Sequence, residues 1–315
     1  MKKPFPSLTR FAILALAAIL ALAPVSPSAL LAGSPPQQQP IRVQVDLVNI
    51  LANVMDRSAR PITNLPKEAF EIFDEGTQQQ IAIFEPETHL PLDMALMIDT
   101  SASARIAFQT ERQAAAKFIK DVVHTGDGLA VFAFSDDVRQ LTGFTAEVPL
   151  LQNAVRKMKE GSGTAMYDAV YLGAQRLMER KSDHRRVIVL VTDAGESSSK
   201  ASFDTARREA ISSGALLYTI VLRAVKGESG RNTAGEHAME TITQTTGGYV
   251  SYPSGPEQLD TIFSQINLEL RTQYRLGYYP EHKPGGAIRK IEIRVKGDYD
   301  VHYRQAYIPP SEDHQ

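Results

Sequence analysis

Between residues 91 and 270, continuous apolar runs alternate with helical patterns, and few folds satisfy that alternation. Leu92–Ile98, Leu129–Phe134, Val187–Val191 and Leu216–Leu222 are apolar almost throughout, as strands are when both faces are covered. The segments near 108–123, 146–159, 165–180 and 202–213 instead carry helical patterns. In the first of them Ala114, Ala115, Phe118, Ile119 and Val122 fall on one side. Another helix precedes Tyr249–Tyr252, and a last one fills about 256–270. Buried strands joined by helices pair through crossovers, so this part is predicted to be α/β: a Rossmann-like open, mostly parallel sheet with helices on both faces. Val138–Leu141 is expected to pair with the preceding strand across the Ser135-Asp136-Asp137 turn.

Both flanks change period. In 41–88, Val43, Val45 and Leu47 alternate, and then Val48, Ile50, Ala52 and Val54 alternate in the opposite phase. A one-residue phase switch exchanges the buried face, so a bulge or sheet crossover is expected near Leu47. Phe70 and Ile72 lead into the turn residues Asp74-Glu75-Gly76, and Ile81 and Ile83 into a further strand. In 271–308, Tyr274, Leu276 and Tyr278 alternate, followed by Ile291, Ile293 and Val295, and then Val301 and Tyr303. Neither flank is large enough to build a good core alone. The expectation is one small β-sandwich-like domain made from both, with the α/β domain inserted between them or flanked by them. Residues 309–315 form a tail.

The N-terminus reads as an address. Lys2, Lys3 and Arg10 precede the apolar run Phe11–Ala23, which is short for a bilayer span of about 20 residues. A signal peptide over about 1–32 and a Pro/Gln-rich spacer over 33–40 follow from this, with an uncleaved anchor as the alternative. The chain is then expected outside the cytoplasm, periplasmic or secreted, with no transmembrane domain after signal removal. Among its 315 residues there is no cysteine, which excludes disulfides, thiolate metal sites and a cysteine nucleophile. A net charge of −2 with no long basic run gives no bulk attraction for nucleic acid.

Open parallel sheets bind ligands outside the carboxyl ends of their strands, and the chemistry-bearing residues fall there. Asp99, Ser101 and Ser103 follow the Met94–Ile98 run. Gly161-Ser162-Gly163-Thr164 precedes a helix expected near Met166, and Asp193 ends the strand Val187–Val191. Together these three loops offer carboxylates and hydroxyls, with no histidine or thiol. Hard oxygen donors of this kind suit Mg²⁺, with Mn²⁺ or Ca²⁺ as alternatives. The competing reading of Asp99 and the serines is a helix N-cap. Asp136-Asp137 reads as a polar turn, and Asp168 as a cap or orienting residue of its helix.

Asp99-x-Ser101-x-Ser103 with Gly163-Thr164 and Asp193 resembles the metal-ion-dependent adhesion site of the von Willebrand factor type A (VWA) domain, over about residues 91–270. Phe70–Gly76 and Tyr274–Pro280 further resemble flanks found in a bacterial, acidobacterial-type group of secreted proteins related to that domain. The resemblance implies that Ser101 and Ser103 bind a cation directly and Thr164 directly or through water. It also implies that Asp99 and Asp193 act at least partly through water, and that a protein partner's acidic side chain completes the shell. The family's glycine directly after the later aspartate is here Ala194, with Gly195 following. Gly163 and Glu196 are candidate partner-facing rim residues, though a solvated loop is the plainer reading of Glu196.

No H-E-x-x-H helix, G-x-S-x-G elbow or phosphate-binding G-x-x-x-x-G-K-[ST] loop occurs. A zinc protease, a serine hydrolase of that type and a nucleotide-driven machine all lack their signatures. The tyrosines at 274, 278, 279, 299, 303 and 307 read as half-buried strand positions, with a sugar-stacking surface as the alternative. The functional expectation is an exported, non-enzymatic, metal-dependent protein-binding or adhesion module. A structural component of an envelope assembly is the second reading, and an extracytoplasmic hydrolase a distant third.

Overall fold

In the computed structural model, two layers of helices enclose one central sheet. The described residues are 47–86, 89–102, 108–181, 183–222, 232–280 and 285–309, all within the compact unit Val45–Gln315. The expected leader, the spacer, Val43, Val45 and Ser103 lie outside them.

The central sheet contains β5 (Leu92–Asp99), β6 (Gly128–Phe134), β7 (Val138–Gln140), β8 (Arg185–Thr192), β9 (Leu216–Val221) and β10 (Val250–Ser251), in the order β10-β9-β8-β5-β6-β7. All pairings are parallel except β6 with β7. Every residue of β5 is buried, because its alternating side chains enter two different cores. Leu96 and Ile98 pack with α1 (Phe108–Val122), α2 (Val148–Arg156) and α6 (Leu259–Arg271). Ala95 and Met97 pack with α3 (Met166–Met178), α4 (Phe203–Ser213) and α5 (Thr233–Thr246). Each large apolar side chain buried this way contributes about 1.5–3 kcal/mol. That alternation fixes the strand's register, since a one-residue slip would exchange the two cores.

The chain leaves β5 for β6 on one side and later returns to place β8 on the other. The loops after β5 and β8 therefore diverge to opposite faces and open a crevice at the carboxyl ends of these strands.

Strands from the two flanks interleave. β1 (Val48–Met55) lies between β11 (Tyr274–Tyr278) and β13 (Asp300–Tyr303), and β4 (Ile83–Glu85) extends the sheet as β13-β1-β11-β4. A second sheet runs β14-β12-β2-β3, from β14 (Ala306–Tyr307), β12 (Arg289–Val295), β2 (Phe70–Asp74) and β3 (Thr77–Gln79). Ile50 and Ile72 from one flank share a core with Tyr274, Leu276, Tyr278 and Ile291 from the other. Tyr274, Tyr278 and Tyr307 are core residues, whereas Tyr279 is exposed. The core also holds one carboxylate, Asp74, which accepts hydrogen bonds from the Tyr278 hydroxyl (3.1 Å), the Tyr307 hydroxyl (2.7 Å) and Arg289 Nε (3.1 Å). No described helix is long and apolar enough to cross a membrane.

Candidate metal centre

The crevice is built loop by loop, each loop held by its neighbours. Asp99 is the last residue of β5 and is buried. Its Oδ1 accepts from the backbone N–H of Ser101 (2.8 Å), and its Oδ2 accepts from the Thr192 hydroxyl (2.8 Å) at the end of β8. The first bond makes an Asx-type turn that leads the chain out of the sheet. The second ties the loops after β5 and β8 together. Thr100 donates its N–H and its hydroxyl to the Phe134 carbonyl, attaching the same turn to β6.

The loop before α3 is anchored to that assembly. Gly161 N–H donates to the Thr100 carbonyl (2.7 Å), and Ala165 N–H to the Ser135 carbonyl (2.6 Å). The Asp136 carboxylate accepts from the backbone N–H groups of Ser162 (3.2 Å) and Gly163 (2.9 Å). Asp136 is thus more than a polar turn residue: it positions the loop that presents Thr164. A β-carbon on Gly163 would fall 2.2 Å from Ser198 Oγ and 2.7 Å from Asp136 Oδ1. Gly163 is a half-buried position where only glycine fits against these two side chains.

Asp193 and Thr164 meet across Gly195. A β-carbon there would lie 2.8 Å from Asp193 Oδ1 and 3.2 Å from Thr164 Oγ1, so only glycine leaves both oxygens in place. Gly195 N–H also donates to Asp193 Oδ1 (2.8 Å). Ala194, where the resemblance implies glycine, sits at φ +62°. A left-handed backbone costs an L-residue about 1–2 kcal/mol, and the buried methyl offsets part of this. The Ala194 substitution therefore keeps a glycine-type conformation, and Asp193 stays beside Thr164.

Glu196, the other candidate rim residue, is half-buried and bonded to the start of α3 and to its own loop. Its carboxylate accepts from the N–H groups of Tyr167 (3.0 Å), Ser198 (3.1 Å) and Ser199 (2.9 Å) and from the Ser199 hydroxyl (2.7 Å). It clamps the start of α3, where backbone donors lack helical partners. Asp168 does the reciprocal job, accepting from the N–H groups of Lys200 and Ala201. With its oxygens so engaged, Glu196 is a structural clamp. Ser103 lies outside the described residues.

The electrostatics of the crevice are dominated by burial of its acids and by their mutual repulsion. Burial, with the Asp193 charge adding to it, pushes Asp99 up to about 6 against the opposing Ser101 hydrogen bonds. Glu111 on α1, not singled out in the sequence, is pushed up to about 8 by burial and then by the charges of Asp99 and Asp193. No three His, Cys, Asp or Glu side chains among the described residues converge closely enough to hold an ion directly. Hydroxyl and water ligation, with carboxylates in support, is the mode left for a hard divalent cation. The donor set of Ser101, Thr164, Asp99 and Asp193 fits it, since Mg²⁺ keeps several of its waters.

Architecture and crevice define a doubly wound α/β domain whose oxygen-lined site lies at the topological switch point. The chain belongs to the von Willebrand factor type A domain family, whose model matches residues 93–265. Among solved structures, a von Willebrand factor type A protein from Catenulispora acidiphila is similar at TM-score 0.50 and 14% identity, over 78% of this chain and 74% of that one. BatB from Bacteroides thetaiotaomicron is similar at TM-score 0.46 and 11% identity, over 57% of this chain and 100% of that one. The vWF domain of the type V pili tip protein Mfa5 from Porphyromonas gingivalis is similar at 0.46 and 12%, over 58% and 96%. At these identities the first likeness is one of fold, and the other two carry no argument. No curated protein matches the chain.

Proposed function

We propose that this protein is an exported, ion-dependent protein-binding module. A divalent cation, Mg²⁺ by its preference for hard oxygens, would be held by the hydroxyls of Ser101, Ser103 and Thr164, with Asp99 and Asp193 supplying charge. When bound, the ion offers an open coordination position that a carboxylate of a protein partner completes. The carrying observation is the tethering of three loops at the switch point. The Asp99–Thr192 bond joins two of them, and Gly195 admits Thr164 and Asp193 side by side.

This chain's residues do three things in that reading. Asp99 and Asp193 create the negative potential that retains the cation. Thr192 and Ser101 fix the orientation of Asp99. Asp136, Glu196 and Asp168 hold the surrounding loops so that site residues need not reorganise on binding. None of these groups forms a nucleophile–base pair, which supports binding over catalysis. The basic and apolar start of the chain supports an extracytoplasmic location.

The test is affinity capture from the native envelope with the full chain as bait, in Mg²⁺ and in EDTA. Partners retained in Mg²⁺ and released by EDTA are expected, and an Asp99→Asn/Ser101→Ala variant should retain none of them. Equal capture by wild type and variant would sink the reading.

A further inference from the structure

Helix α1 carries a carboxyl group on its apolar stripe. Glu111 precedes Ala114, Ala115 and Phe118 by three, four and seven positions, and so shares their face. It is 2% exposed, and neither carboxylate oxygen has a hydrogen-bond partner. Leaving a buried acceptor unsatisfied costs about 1–3 kcal/mol, and more for a charged group.

Three other carboxylates with buried side chains do not share this state. Asp74 has Arg289, Asp93 has Arg180 and His184, and Asp127 has Arg271, with nitrogens 2.7–3.2 Å from the carboxylate oxygens. Around Glu111 the charges that act are Asp99 and Asp193, and among the described residues no cationic side chain offsets them. Glu111 is in the first turn of α1, the helix that follows β5 in the chain, and Asp99 ends β5. A cation held beside Asp99 and Asp193 would offset all three.

We propose that Glu111 is a third carboxylate of the ion site, accepting hydrogen bonds from the waters of the cation that Asp99, Ser101, Ser103, Thr164 and Asp193 hold. This rests on the reading of those five residues as an ion site. It needs no direct ligation, in keeping with the lack of a tight three-acid cluster. It gives both unsatisfied oxygens donors and gives the three acids a common counter-ion. Its consequence is tighter retention of the ion than the five ligands alone would provide.

The test compares the full-length wild type with Glu111→Gln, which keeps the shape and removes the charge, and with Glu111→Met, which matches the apolar stripe. Isothermal titration with Mg²⁺ and with Mn²⁺ is read beside thermal melts in EDTA and in excess Mg²⁺. The ion Kd is expected to rise about 10- to 100-fold in both variants. In EDTA they should melt at or above the wild-type temperature, and the gain on adding Mg²⁺ should shrink. A wild type that binds the ion, with variants that bind it equally well and gain the same Tm, would overturn the role of Glu111 alone. A wild type that binds neither ion would overturn the underlying site as well. If one variant does not fold, the other carries the comparison.

Discussion

Asp74 and Glu111 are both buried acids, and they have opposite surroundings. Asp74 lies in the β-sandwich core with Tyr278, Tyr307 and Arg289 bonded to it. Glu111 lies against the central sheet with neither oxygen bonded. The first is complete within the chain and serves the fold. The second has no such partners, and in the proposal above the waters of a bound cation complete it. A buried charge the protein has satisfied marks architecture, and one left unsatisfied marks a site.

The sharpest way to break this contrast is to remove the satisfied acid. Asp74→Ala leaves Arg289 and two tyrosine hydroxyls without their acceptor. It should cost about 3–5 kcal/mol in urea unfolding, by the same amount in Mg²⁺ and in EDTA. A loss that depends on the ion would place Asp74 in the site's economy after all. Asp99→Asn probes the other side. In wild type, Mg²⁺ at a hundred times its Kd should raise the unfolding free energy by about 2.7 kcal/mol, and the variant should lose that gain while keeping most of its EDTA stability. Gly195→Ala should act on the site without touching the core. Its new β-carbon displaces Asp193 Oδ1 and Thr164 Oγ1, and the ion Kd should rise about tenfold, near 1.4 kcal/mol, with circular dichroism unchanged.

The smallest effect belongs to a third acid, Glu269, whose partner is itself titratable. Its carboxylate lies 3.7 Å from His302 Nδ1, joining α6 to β13, with Asp300 3.4 Å from Nε2. Glu269 holds the imidazole above its ordinary pKa against the opposing effect of burial. The folded state therefore favours protonated His302. Its contribution is full below the ordinary histidine pKa, near 6.5, and is lost as pH rises through the raised native value. His302→Gln should flatten Tm against pH in that window, and an unchanged profile would assign the slope to other groups.

The helices and strands of the α/β domain were legible because their side chains repeat at 3.6 or run apolar without interruption. Gly163, Thr164 and Asp193 were legible as loop residues after such runs. Glu111 was overlooked although its signal was present, an acid in register with Ala114, Ala115 and Phe118. Asp136 reads in sequence as a polar turn and Glu196 as a solvated loop or rim residue, because their partners are mostly backbone N–H groups. The partners Ser162, Gly163 and Tyr167 lie 26 to 29 positions away, and every residue but proline carries such a donor, so sequence pattern does not reveal the bond.

The sequence by itself determined the α/β class, the order of elements and the ends of strands at which oxygen donors gather, because periodicity and burial are local properties of a chain. Only the tertiary structure decided which acids are satisfied. It interleaved strands more than 200 positions apart to surround Asp74, and it buried Glu111 on α1 with neither oxygen bonded. Whether a charge finds its partner depends on distances in space, and those are set by packing.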